Sequence, residues 1–256
     1  MSRQTARWWI PFPVMRNPVA LVSIPKGRPG CFVAAVTATF FAFSAQVCAE
    51  SVCFGTPGKG RLQGGVRLPA SGANFSPYSS LAGPLGRTYV HSTVEKIVVM
   101  AFKALEKSAP GKVYVYAETG FESGGTFSPH RTHQNGLSVD FMVPVLDTEG
   151  RSVPLPTGPS NKFGYDIDFD KSGRFGKYLI DFDAIGEHLY QLHAAAQTEG
   201  AGITLVIFDP RYLPKLFATP RGKWLRDNLN FMKQQAWVRH DEHYHVDFRI
   251  PCKAMK

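Results

Sequence analysis

The sequence predicts an α+β fold: a small antiparallel sheet flanked by helices and long loops, forming a single domain behind an export leader. Three observations carry this. Helical and strand-like patterns mix without a steady βαβ alternation, which argues against a doubly wound sheet. Removing the leader leaves 207 residues, enough for one substantial core. Five of the eight histidines fall in two clusters, His130 and His133, and His240, His243 and His245, each where a strand pattern begins.

Residues 1–49 read as an export signal. Arg3, Arg7, Arg16, Lys26 and Arg28 precede the apolar run FVAAVTATFFAF, and Val47-Cys48-Ala49 stands before a cleavage point at Glu50. The run has 12 residues, whereas a bilayer span takes about 20, so no stable membrane insertion is expected once the leader is cut. An uncut N-terminal anchor is the other reading, and Met15 is a second candidate start. Cleavage leaves 24 Lys and Arg against 20 Asp and Glu, so the net charge drops from +9 to +4. A nucleic-acid partner loses its compositional support with that drop. Cys53 and Cys252 remain, one near each end of the exported part. In an oxidising compartment a disulfide between them is expected, the alternative being two buried thiols.

Residues 50–90 read as an extended N-terminal arm, rich in Gly, Pro and Ser from 54 on, either wrapped around the domain or loosely packed; residues 91–256 are expected to hold the domain proper. A helix is expected from Ser92, where STVE offers a capping box with Glu95. Val94, Ile97, Val98, Ala101, Phe102 and Leu105 give it one apolar face, and Pro110-Gly111 ends it. KVYVYAE alternates like a strand, and LSVDFMVPV follows a Gly-rich loop as the next. Residues 145–163 look like a surface insertion. Residues 164–182 read as a hairpin turning at Lys171-Ser172-Gly173. Its Asp166, Asp168 and Asp170 do not make a calcium loop, because Lys171 stands where glycine is needed and no glutamate is at the twelfth position. A helix over about 183–199 and the strand ITLVIF come next. Asp209-Pro210 and Thr219-Pro220 each look like a helix start, and HYHVDFRI is the last strand.

Within HRTHQNGLSVDFMVP, Asp140 stands between Val139 and Phe141 on a strand that should be buried. Burying an isolated carboxylate is very costly, so Asp140 needs a cation or several donors. Asn135-Gly136 turns the chain from His133 back onto Asp140, and His243 and His245 share a strand face. Side by side, the two strands would gather His133, Asp140 and His245, two imidazoles and a carboxylate suited to one Zn2+ with the fourth position left to water. The blander reading has Asp140 capping a turn or pairing with an arginine, and the histidines satisfied separately. No G-x-S-x-G pattern competes for a nucleophile role.

HQNGLSVD has the form H-x-x-G-x-x-x-D, and HYH supplies a distal H-x-H. Together they resemble the zinc peptidases grouped with lysostaphin, the D-Ala-D-Ala peptidases and the hedgehog signalling domain, and most nearly the penicillin-insensitive murein endopeptidase family. Gly124-Gly125 ahead of the first histidine and the run His240, His243, His245 are similar to that family, from about Val113 to Cys252. The resemblance implies a periplasmic endopeptidase that cleaves D-alanyl to meso-diaminopimelyl cross-links of peptidoglycan. It implies zinc on His133, Asp140 and His245, with His243 beside the reacting centre. His243 is then expected as the base, Glu242 as the second candidate, and His240 as an oxyanion or supporting group; His130 is a further polar group of the site. Glu242 departs from the endopeptidase pattern by standing three before His245, a spacing the D,D-carboxypeptidases and dipeptidases share. A D,D-carboxypeptidase or dipeptidase, or a non-catalytic zinc-stabilised wall-binding domain, are therefore the alternatives.

Overall fold

The computed structural model describes residues 50–236 and 238–255, so the export leader expected over 1–49 lies outside the described residues. The described residues form one compact α+β unit. Strands β1 (Val52–Thr56) and β2 (Lys59–Gln63) make a hairpin, followed by β3 (Val66–Arg67) and β4 (Phe75–Pro77). Next come β5 (Tyr89–Val90), which pairs with β3, and helix α1 (Ser92–Ser108). Strands β6 (Tyr114–Tyr116), β7 (Ser138–Met142), β8 (Val145–Leu146) and β9 (Ser152–Val153) lead to β10 (Arg174–Phe175) and β11 (Tyr178–Ile180). Helix α2 (Phe182–Thr198), β12 (Gly202–Ile207), α3 (Leu213–Phe217), α4 (Gly222–Asn228) and β13 (His243–Arg249) complete the order. Among the described residues, no helix is long and apolar enough to cross a membrane.

The principal sheet runs β12-β13-β7-β6-β4, antiparallel except where β4 joins β6 in parallel. A smaller sheet runs β10-β11-β8-β9. Successive residues of a strand face opposite sides, and this alternation separates chemistry from packing. Val139 and Phe141 on β7, with Tyr244, Val246 and Phe248 on β13, are buried apolar positions of one parity. Phe141 meets Phe102 of α1 with ring centroids 6.2 Å apart and His188 of α2 at 4.7 Å, so this parity faces the helices. Ser138 and Asp140, with His243, His245 and Asp247, have the other parity and form the polar side. Asp140 can therefore sit between apolar neighbours, which belong to the opposite face.

The helices follow their apolar spacing. Val94, Ile97, Val98, Ala101, Phe102 and Leu105 of α1 are buried, and Phe102 stacks on Phe75 at 4.3 Å. The cap differs from the expected capping box: His91 is the N-cap, its Nδ1 accepting from Thr93 N at 3.1 Å. Ser92 is occupied elsewhere, since its Oγ accepts from Ser51 N at 3.0 Å and its N donates to Ser51 Oγ at 2.9 Å.

Of the sequence expectations, one open choice is resolved and three are corrected. The Gly/Pro-rich stretch to residue 90 wraps the domain rather than packing loosely: Leu62 N donates to Ser123 O, Gln134 N to Pro57 O and His91 N to Gly136 O, each at 2.9–3.0 Å. The hairpin at 164–182 turns at Gly176-Lys177 between β10 and β11, because Asp170 closes its own local loop. Asp170 Oδ1 accepts from Ser172 N at 2.8 Å and from Arg174 N at 2.9 Å, while Ile167 and Phe169 are buried outside any strand. Residues 145–163 contribute β8 and β9 to the smaller sheet rather than standing off the surface. At Thr219-Pro220 the threonine hydroxyl closes the preceding helix onto Leu216 O at 2.7 Å, and α4 starts only at Gly222.

Candidate metal centre and cleft

The register of β7 against β13 sets His245 opposite Asp140 and His243 opposite Met142. The loop before β7 brings in His133, whose backbone is left-handed at φ 67°, and the preceding turn brings in His130. Four imidazoles thereby converge on one carboxylate. His245 Nδ1 lies 2.8 Å and His133 Nε2 3.3 Å from Asp140 Oδ1. His130 Nδ1 lies 3.7 Å and His243 Nε2 3.8 Å from Asp140 Oδ2, which also accepts from the Tyr165 hydroxyl at 3.0 Å. Asp140 and His133 are fully buried.

Each imidazole is tied on its far side. His133 Nδ1–H donates to Thr119 O at 3.0 Å, so in the neutral ring Nε2 is a bare lone pair. That Nε2 is buried and makes no hydrogen bond, although Asp140 Oδ1 is close: two acceptors face each other with nothing shared between them. His243 Nδ1 pairs with Glu242 Oε1 at 2.9 Å, His130 Nε2 with Glu118 Oε2 at 2.6 Å, and His245 Nε2 with Asp247 Oδ1 at 2.8 Å. Outer acceptors that fix one ring nitrogen while the other faces inward are the usual support of metal-ligating histidines. The donor atoms of His130, His133 and Asp140 lie within 4.8 Å of one another, a group that could hold a metal ion.

The electrostatics ask for positive charge at this point. Burial would raise the Asp140 carboxyl, but the surrounding histidines outweigh it and hold it well below the usual range. Burial would lower His245; lying between Asp247 and Asp140, it is instead pushed up to about 10 and is an imidazolium. Burial takes His133 down, His243 to about 4 and His240 to about 3, so those rings are neutral. Burial lifts Glu242 to about 7, far above the usual carboxyl range.

Beside the cluster opens a cavity of about 620 Å³, with His130, His243 and Glu242 in its wall. Leu81, Leu85 and Val238 also line it and are 53%, 64% and 45% exposed, so much of the exposed apolar surface gathers at its mouth. Strict alternation on a strand would turn Glu242 away, but β13 begins one residue later, and Glu242 shares the cavity with His243. His240 stays behind: its Nδ1 donates to Val238 O at 3.0 Å and its ring lies 4.5 Å from that of His243. His130 is drawn fully into the cluster.

Tyr165, Glu118, Asp247 and the Thr119 carbonyl join the site beyond the residues expected from the sequence. Asp247 alone carried a signal: it stands between Val246 and Phe248 as Asp140 stands between Val139 and Phe141, and its spacing of two residues from His245 puts it on the same strand face. No family model matches the chain, and no curated protein matches it.

Proposed function

We propose that the protein is an exported, periplasmic zinc metallopeptidase that hydrolyses D-alanyl-meso-diaminopimelyl cross-links of peptidoglycan. The observation that carries the reading is the inward-facing, unbonded Nε2 of buried His133 beside buried Asp140, with His245 across the strand pair. His133, Asp140 and His245 would hold the ion; His245 would give up its proton on binding, as metal ligation requires. Bound zinc would supply carbonyl polarisation and a water acidified from about 15.7 toward about 7.

The chain's own groups would manage the protons. His243 presents Nε2 to the cleft side of Asp140, while its Nδ1–H is held by Glu242. The attacking water's proton passes to His243 Nε2, Glu242 steadies the imidazolium, and the leaving amine takes the proton back. His240 packs on His243 and keeps its ring in place. Leu81, Leu85 and Val238 would meet the apolar flank of the peptide.

The test is to incubate the mature chain with purified cross-linked muropeptides, with and without a chelator, and to read products by mass. Dimers should split to monomers, stop splitting on chelation and resume with zinc; zinc-loaded protein that leaves dimers intact overturns the reading. His243→Ala should abolish turnover and Glu242→Gln reduce it; near-full turnover in His243→Ala with a dead Glu242→Gln reverses the assignment of the base. Glu242, raised by burial and lining the cavity, favours a second reading, a D,D-carboxypeptidase or dipeptidase, for which free D-alanine would be the product.

A further inference from the structure

Glu118 has no step in that reaction, yet four groups bond to it. Its Oε1 accepts from the Tyr78 hydroxyl at 2.9 Å and from Arg87 Nε; its Oε2 accepts from His130 Nε2 at 2.6 Å. Its backbone N donates to the Tyr165 hydroxyl at 3.2 Å. Arg87 is itself pinned, donating through Nη2 to Ser128 O at 3.3 Å and lying 4.1 Å over the Phe127 ring. With Oε1 engaged by Arg87 and Tyr78, Oε2 is left for His130.

A carboxylate can only accept, so the proton of a neutral His130 must sit on Nε2. The lone pair is then on Nδ1, aimed toward Asp140 Oδ2 at 3.7 Å and within the same close group as the donors of His133 and Asp140. We propose that Glu118 is a positioning residue that fixes His130 in this tautomer and so makes His130 Nδ1 a further donor to the cation held around Asp140. The proposal rests on the metal part of the functional reading and not on the peptidase part.

Glu118→Gln separates this role from bulk. The amide has one oxygen where two acceptors are needed; if Arg87 and Tyr78 keep that oxygen, the NH2 faces His130 Nε2 and drives the proton to Nδ1. Three measurements on the purified protein decide: the His130 tautomer from imidazole 15N shifts without metal, zinc affinity by competition with a chromophoric chelator, and the thermal melt. Wild type should show Nε2–H. Glu118→Gln and His130→Ala should each weaken zinc about 10–100-fold, the range for lost support of a ligand. The double variant should lose no more than either alone, because Glu118 acts through His130.

An Nδ1–H tautomer in wild type, unchanged zinc affinity in His130→Ala, or additive losses in the double variant overturns the proposal. Should Glu118→Gln not fold, the wild-type tautomer and His130→Ala still decide. Protein that binds no zinc overturns this and the metal reading together; protein that binds zinc by this pattern but cuts no muropeptide overturns the peptidase reading alone.

Discussion

His188 lies wholly buried on α2, its ring 5.0 Å from Phe102 and 4.7 Å from Phe141, with its Nδ1 bonded to the Tyr244 hydroxyl. Burial pushes it down to about 3, against about 6.5 in an unfolded chain. The unfolded state thus takes up a proton the folded state refuses. Its contribution is whole above about pH 6.5 and is lost as pH falls toward 3, at up to about 1.4 kcal/mol per pH unit. His188→Phe keeps an aromatic ring and removes the titration, so the stability gap between wild type and variant should shrink in favour of the variant between pH 7 and pH 4. Urea midpoints at the two pH values check it; a constant gap would mean that His188 does not titrate as placed. Nothing in the sequence marked this histidine, since HLYQLH reads equally well as a helix with polar rings outward. His133, Asp140, His243 and His245 were legible because each sits at a fixed spacing from a turn or along a strand. Tyr165 and Glu118 were not: Tyr165 reaches Asp140 from 25 positions away and Glu118 reaches Arg87 from 31, with no local period to announce either.

At the scale of elements, strands and helices with a clear period were readable, and what depended on who bonds to whom was not. β13 and α2 lie close to their expected spans because alternation and apolar spacing are local. The α1 cap passed to His91 because Ser92 is taken by Ser51, 41 positions away. The turn ahead of β7 was readable, and its glycine has a measurable role. Gly136 is left-handed at φ 75°, and a Cβ there would lie 2.7 Å from His91 N and 3.1 Å from Val90 C, both backbone atoms. Gly125 is left-handed too, at φ 85°, but has open space around its added Cβ. Gly125→Ala should therefore cost about 1 kcal/mol, from the backbone conformation alone. Gly136→Ala adds a clash with backbone that cannot swing aside, and should cost roughly 2–4 kcal/mol. Chemical denaturation of both variants tests this, and equal losses would contradict the close packing of β5 against the turn.

For the molecule as a whole, the segments around Cys53 and Cys252 form one structural unit. Cys53 and Cys252 form a disulfide across 199 positions, and Lys253 N donates to Cys53 O while Gly55 N donates to Lys253 O, each at 2.9 Å. The cysteine count made this pairing legible; its consequence for the site was not, because the Gly-rich stretch has no periodicity that tells where it packs. The hairpin β1–β2 carries Cys53, and the same hairpin region holds the loop before β7 through Leu62 N to Ser123 O and Gln134 N to Pro57 O. Gly60 packs so closely there that an added Cβ would lie 2.8 Å from Asn135 Cβ. Opening so long a loop restores chain entropy to the unfolded state, so Cys53→Ser with Cys252→Ser should cost about 3–5 kcal/mol. The loss should reach the histidines as well, since loosening the hairpin frees the loop that carries His130 and His133. On the proposed zinc reading, zinc affinity should then fall along with the denaturation midpoint, and saturating zinc should recover part of the lost stability by mass action. Stability that falls while zinc affinity holds would show instead that the loop before β7 is fixed by the sheet alone, with the hairpin only closing the ends.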